Sequence, residues 1–237
     1  MTGNTDELNN TTKILALIPG YNEAAHIAEV VSGAQAHLLV LVVDDGSGDD
    51  TGVRAERAGA TVLRQTPNQG KGTALRAGFH WALDAEYEAV VTLDADGQHD
   101  PAEIPKFLDA YAERGADLII GARDFSRMPP VRRLANTLGG WAFSWAIGQP
   151  IRDNQSGYRL IRRRLLEAIL ASDEAGFEFE VEMIVTCIRR GFELDWVPIR
   201  AIYAGEGSHI RPWHHTVNFV RVVWQTRRAV ASHLKLR

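Results

Sequence analysis

Three features of the sequence predict an α/β fold built on a mostly parallel central sheet with helices on both faces. Short apolar runs alternate with segments of helical periodicity through about residue 121. Each run ends in a polar cluster, often with glycine. The chain is 237 residues long and 45% hydrophobic, which suits one such domain with an appendage.

Lys13 to Ile18 reads as the first buried strand, ended by Pro19-Gly20, with Asn22 as the cap of a helix beginning near Glu23. Leu38 to Val43 is a second strand, and Asp50 or Thr51 caps a helix running to Gly59. Ala60 to Leu63 is a third strand and Thr73 to Leu83 a helix. Ala89 to Leu93 is a fourth strand. Pro101 then stands well as the first residue of a helix through Arg114, and Leu118 to Ile120 is a fifth strand. Beyond residue 122 the alternation breaks. Val131 to Ile147, Arg162 to Leu170, Glu178 to Arg189 and Trp213 to Leu234 have helical spacing, and Phe192 to Ile202 is strand-like, with Pro198 favouring a sheet edge or a bulge. The expected division is a polar tail over 1–12, one domain over 13–206 containing an apolar helix at 131–148, and a basic amphipathic segment over 207–237.

Composition narrows the function classes. A single cysteine, Cys187, allows no internal disulfide and fits a reducing, cytoplasmic compartment. The polar start carries Asp6 and Glu7, which does not read as a signal peptide, and the longest aliphatic run, Leu38 to Val43, is far too short for a span. The net charge of -4 averages over blocks: 8 basic and 19 acidic residues in 1–122, 9 and 2 in 123–164, 3 and 9 in 165–206, 6 and 0 in 207–237.

In open parallel sheets, ligands bind beyond the carboxyl ends of the strands, and the polar clusters fall there. Asp94 and Asp96 flank Ala95 after the fourth strand; two close carboxylates repel unless a divalent cation relieves them, so this is a place to hold a metal-diphosphate with Mg²⁺ or Mn²⁺. Asp44 and Asp45 could read a base or ribose, although a turn with an Asx cap explains them as well. Asn68-Gln69-Gly70-Lys71-Gly72 lacks the spacing of a P-loop, and no strand is followed by G-x-G-x-x-G; its glycines still permit close approach to a ligand beside Lys71.

Taken together, Ile18-Pro19-Gly20-Tyr21-Asn22-Glu23, Val42-Val43-Asp44-Asp45-Gly46-Ser47, Asn68 to Gly72 and Leu93-Asp94-Ala95-Asp96-Gly97-Gln98-His99 resemble, in order and spacing, glycosyltransferase family 2 of the GT-A fold. Within it, Gly121-Ala122-Arg123, the segment Asp153 to Arg159, Phe177 to Glu180 and Ser208 to Arg211 resemble dolichol-phosphate mannosyltransferases and related polyprenyl-phosphate sugar synthases. The resemblance implies an inverting transfer of a hexose from a GDP- or UDP-sugar to a polyprenyl phosphate. Pro19, Tyr21, Glu23, Asp45, Lys71 and Ala95 would bind the nucleotide sugar, with Asp94 toward the sugar or base. Asp96 and Gln98 would hold the metal-diphosphate. Arg123, Ser156 and Arg159 would meet the acceptor phosphate, and Arg211 would cover the diphosphate. Asp94, Asp96 and Arg123 form the expected catalytic set.

Physical chemistry favours the phosphate acceptor, because a hydroxyl must lose a proton to attack and a phosphate is already anionic. Arginines in 123–164, among them Arg123, Arg127, Arg132, Arg133, Arg152 and Arg159, supply anchors. The alternative is a saccharide hydroxyl activated by Glu178 or Glu180 as base. A haloacid-dehalogenase-type phosphatase and a non-catalytic nucleotide-sugar-binding or membrane-docking protein are further rivals. The expected partners are a nucleotide sugar, a lipid phosphate and the cytoplasmic face of a membrane, with the last helix divided between lipid contact and packing, no nucleic acid, and a homodimer open through 131–147.

Overall fold

The computed structural model describes residues 13–123, 130–172, 179–200, 223–224 and 227. Its elements in chain order are β1 (Ile14–Gly20), α1 (Ile27–Gln35), β2 (Leu39–Asp44), α2 (Thr51–Arg57), β3 (Thr61–Arg64), α3 (Lys71–Asp84), β4 (Ala89–Thr92), a 3₁₀ turn (Pro101–Glu103), α4 (Ile104–Arg114), β5 (Leu118–Arg123), α5 (Pro130–Ile147), β6 (Arg159–Arg162), α6 (Arg163–Leu170), α7 (Phe179–Arg189) and β7 (Leu194–Ile199). The strands form one seven-stranded sheet in the order β3-β2-β1-β4-β6-β5-β7. All pairs are parallel except those of β6, which runs antiparallel to β4 and β5.

The near-continuous apolar runs of β1, β2 and β4 follow from burial on both faces of the sheet. The two-residue period of the strands divides the core in two. Leu15, Leu17, Leu41 and Val43 face α3, α6 and α7, with Phe79, Leu165 and Val181. Ala16, Ile18, Val40 and Val42 face α1, α2 and α4, with Val31, Ala55 and Phe107. The apolar face of α5 joins the first layer through Phe143 and Ile147.

Four local expectations are corrected. The strand β6 was not anticipated: Arg159-Leu160-Ile161-Arg162 is too short and too basic to announce itself, and it is a strand because the facing edges of β4 and β5 both need hydrogen-bond partners. Asn22 does not cap α1. It sits in the left-handed region at φ 58°, which asparagine tolerates, and α1 begins at Ile27. At α2 neither Asp50 nor Thr51 caps with its side chain; Asp49 Oδ1 accepts the Thr51 N–H at 3.0 Å. Pro101 opens the 3₁₀ turn, capped by Asp100, whose Oδ1 accepts the Ala102 N–H at 3.0 Å, and α4 follows from Ile104. The edge position expected from Pro198 holds, since β7 is the outermost strand beside β5. The tail 1–12 and nearly all of 207–237 lie outside the described residues.

Candidate active site

The strand order turns about β1: β2 lies on one side and β4 on the other, and crevices open at such switch points. The carboxyl ends of β1, β2 and β4 with the start of α3 enclose a cavity of about 460 Å³. Pro19, Tyr21, Glu23, Asp45, Lys71, Asp94, Ala95 and Asp96 all line it, so eight of the residues singled out for the nucleotide sugar converge on one space. Tyr21 is 49% exposed at its mouth.

Reciprocal hydrogen bonds fix the cavity wall. The Asn22 N–H donates to Ser47 Oγ at 3.0 Å, and Asn22 Oδ1 accepts from Gly48 N–H at 2.8 Å. The Glu23 N–H donates to Thr51 Oγ1 at 2.8 Å. The loop after β1 is therefore tied to the loop after β2. The turn at Gly46, φ 77°, admits only glycine, since a Cβ would fall 2.8 Å from the Asn68 nitrogen. Asp45 then fastens the third loop: its two carboxylate oxygens accept the Gln69 and Gly70 N–H groups at 2.9 and 2.7 Å. Asp45 thus lines the cavity while spending both oxygens on the backbone that presents Lys71.

Lys71, the first residue of α3, lies between two carboxylates. Its Nζ is 2.6 Å from Asp94 Oδ1 and 3.0 Å from Glu180 Oε1. Burial alone would lower the ammonium pKa, but Asp94 and Glu180 more than offset it and hold Lys71 charged. Burial likewise opposes ionisation of the two acids, yet Lys71, helped by Arg123 at Asp94 and by Arg159 at Glu180, leaves both below their ordinary range. The backbone closes over this triad at Gly157, where a Cβ would stand 2.9 Å from Asp94 Oδ2 and 3.1 Å from Lys71 Nζ.

His99 is a site residue that the sequence pointed to only weakly. It is buried, its ring packs against Tyr158 at 5.1 Å between centroids, and its Nδ1 accepts the Asp94 N–H at 3.0 Å. Burial pushes the imidazole pKa down against the pull of Asp94 and Asp96, consistent with a neutral acceptor at Nδ1. The five-residue separation of Asp94 and His99 was the available signal; its meaning depends on the loop folding back through Gly97, φ 76°.

On the β5 side, Arg123 forms a two-point pair with Asp153, Nε to Oδ2 at 2.7 Å and Nη2 to Oδ1 at 3.0 Å. It is near enough to Asp94 to favour that carboxylate. Arg159 departs from its expected role. It is fully buried and gives its donors to three carbonyls, those of Ser156 at 2.7 Å, Glu180 at 2.6 Å and Asn154 at 3.1 Å. Burial draws its pKa down to about 10 against Glu180, Asp153 and Asp94, so it remains a cation that braces the floor of the site rather than a surface to which a phosphate could bind. Ser156 is also buried, and its Oγ has no hydrogen-bond partner among the described residues. Gln98 is exposed outside the cavity lining, and its N–H donates to Asp96 Oδ1 at 2.9 Å. Glu178, Arg127 and Arg211 lie outside the described residues.

The donor set decides what cation the site could take. Among the described residues no three His, Cys, Asp or Glu side chains cluster as a metal cage. Asp94 is engaged by Lys71, while Asp96 faces the cavity with one oxygen turned to its own loop. One or two carboxylates completed by substrate phosphates is an ordinary Mg²⁺ environment. Asp96 therefore fits a hard divalent cation that arrives with a diphosphate, and does not fit a cation held by protein alone.

Comparison with known proteins bears on the family and the fold. The model of glycosyl transferase family 2 matches residues 16–170. Polyprenol monophosphomannose synthase of Mycolicibacterium smegmatis is 37% identical over 205 residues, covering 80% of this chain and 77% of that protein. Undecaprenyl-phosphate mannosyltransferase of Micrococcus luteus is 35% identical over 202 residues, covering 79% and 82%. Among solved structures, glucosyl-3-phosphoglycerate synthase from Mycobacterium tuberculosis, in complex with Mn²⁺, UDP-glucose and phosphoglyceric acid, superposes with a TM-score of 0.70 at 19% identity, covering 93% of this chain and 81% of that one.

Proposed function

The chain belongs to glycosyltransferase family 2, and from that premise we propose that it transfers a hexose from a nucleotide sugar to a polyprenyl phosphate, with inversion at the anomeric carbon. That it is a glycosyltransferase of the GT-A fold follows from the family and the architecture. The lipid acceptor is the further step. Relatives named for mannose transfer to polyprenyl and undecaprenyl phosphate support it, and one observation of this chain carries it: the state of Glu180.

A hydroxyl acceptor needs a base able to take its proton. Of the two acids expected as bases, Glu178 lies outside the described residues, and Glu180 is held by Lys71 at 3.0 Å with its pKa lowered, which makes it a counter-ion and a poor base. His99 offers nothing at Nδ1, which already accepts the Asp94 N–H. A phosphate oxygen needs no base. It forms the new bond to the anomeric carbon, the bond to the diphosphate breaks, and the nucleoside diphosphate leaves with the electron pair, so no proton moves.

The chain's own groups then have separate tasks. The cavity walls at Pro19, Tyr21, Glu23 and Asp45 seat the nucleotide. Lys71 places a fixed positive charge at the diphosphate end, and Asp94 beside it is an acceptor for sugar hydroxyls. Arg123, oriented by Asp153, draws the acceptor phosphate to the β5 side, and two-point guanidinium geometry suits phosphate. Asp96 would hold a Mg²⁺ or Mn²⁺, which supplies charge neutralisation of the leaving diphosphate when bound. The structural neighbour with Mn²⁺ shares the fold alone, so the metal reading rests on the donors of this chain.

The Glu180→Gln variant tests the acceptor reading. With a phosphate acceptor, kcat/KM falls less than about tenfold and the acid limb of the pH profile stays near the phosphate's second pKa of about 6. With a hydroxyl acceptor, rate falls by about 10²-fold or more and the acid limb disappears.

A further inference from the structure

The surface around α5 carries a feature the active site does not use. Trp141 and Trp145 are four residues apart and therefore share a helix face, and they are 72% and 50% exposed. On the inward side, Phe143, Ala146 and Ile147 are buried. Near the C-terminus the same division recurs, with Val223 buried and Trp224 57% exposed. The two segments are joined: the Arg227 guanidinium lies 5.0 Å above the Trp145 ring, and its Nη1 donates to the Trp145 carbonyl at 3.3 Å. Half of the chain's six tryptophans thus stand in water on two segments in contact.

We propose that this tryptophan face docks the protein on an anionic phospholipid bilayer. Two observations select that occupant. Indole rings combine an apolar body with an N–H and settle at the headgroup level of a membrane, where both are satisfied. The segments that carry them are of one sign in sequence. Residues 125–152 contain Arg127, Arg132, Arg133 and Arg152 and no acid, and residues 207–237 contain six basic residues and no acid. Segments that are acid-free and basic in sequence, with exposed tryptophans and with Arg227 seated on one of them, are complementary to an anionic leaflet. A second copy of this chain would bring the same positive charge against itself. Among the described residues no helix is long and apolar enough to cross a membrane, so attachment by this surface is interfacial. The inference deepens the reading of a lipid-borne acceptor, because docking on this face concentrates the enzyme where such a phosphate is displayed.

The test uses the full chain with vesicles of phosphatidylcholine, with and without phosphatidylglycerol, in the absence of any substrate. The expected result is co-sedimentation only with the anionic vesicles, weakening as salt rises, with a blue shift of tryptophan emission and quenching by brominated lipid. The double variant Trp141→Ala/Trp145→Ala loses at least about tenfold in vesicle affinity, and Trp145→Phe with Trp141 intact retains most of it. Because these rings are exposed, the variants keep the native thermal midpoint and transfer to a short-chain, water-soluble polyprenyl phosphate within about twofold. Native binding by the double variant, indifference of the wild type to anionic vesicles, or conversion of a dimer to monomers on Trp141→Ala would overturn the proposal. Failure to glycosylate the soluble acceptor would instead contradict the acceptor reading and leave the vesicle result standing.

Discussion

Asp94 and Asp96 were legible as residues, but what holds them was not. The sequence places two acids at a strand end; it does not say that Lys71, 23 positions before the first of them, joins it to Glu180, 86 positions after it. Nor does it distinguish Glu180 the base from Glu180 the counter-ion, because that depends on which cation stands beside it. His99 belongs to the same lesson. Its Nδ1 fixes the Asp94 amide, so it is a positioning residue for the acid loop. The His99→Phe variant keeps a ring against Tyr158 and removes the acceptor. It is expected to raise the donor KM about tenfold or more with a smaller effect on kcat, and His99→Asn, which can accept a hydrogen bond, to recover part of the loss. Steady-state kinetics with the donor varied, at fixed metal, measures both. Equal kinetics for His99→Phe and wild type would remove His99 from the site.

At the scale of elements, the strands with nearly continuous apolar runs were readable and β6 was not, because its identity comes from its neighbours' unpaired backbone rather than from its own four residues. Arg159 shows the cost of reading such a segment by motif. It resembled a phosphate ligand, yet it ties the turn at 154–156 to the first turn of α7 through three carbonyls. The Arg159→Gln variant is expected to destabilise the fold by about 3 kcal/mol, seen as a lower thermal midpoint, since it leaves buried carbonyls without donors. A phosphate ligand would give a raised acceptor KM at unchanged midpoint. The packing of α3 on β1 gives a second element-scale prediction. Gly78→Ala would gain about 0.5–1 kcal/mol from helix propensity alone. Here the added Cβ lies 2.4 Å from Leu17 Cδ1 in a filled core, and overpacking costs about 1–3 kcal/mol, so the net effect in chemical denaturation is destabilising.

Across the whole molecule, the net charge of -4 conceals a division of labour that the residue counts alone could only hint at. The acidic first half supplies the carboxylates of the cavity, and the basic stretches coincide with Arg123 and the exposed tryptophans. The charge triad also sets a pH dependence. Glu180 and Asp94 have lowered pKa values in the fold, so their contribution is complete above the unfolded value of about 4 and is lost as pH falls through the folded one. Lys71 has a raised pKa, so its contribution is complete below about 10.4 and is lost only as pH rises through the folded value. The stability difference between wild type and Glu180→Gln is therefore expected to be flat from about pH 5.5 to 9.5 and to shrink below about pH 4, as thermal melts across pH will record. The central claim is tested most directly by product analysis: purified protein, Mg²⁺ or Mn²⁺, radiolabelled GDP- and UDP-hexoses, and polyprenyl phosphate offered together with a saccharide acceptor. The account predicts label in a polyprenyl-phosphate hexose of inverted anomeric configuration; label in the saccharide, with none in the lipid phosphate, would contradict it.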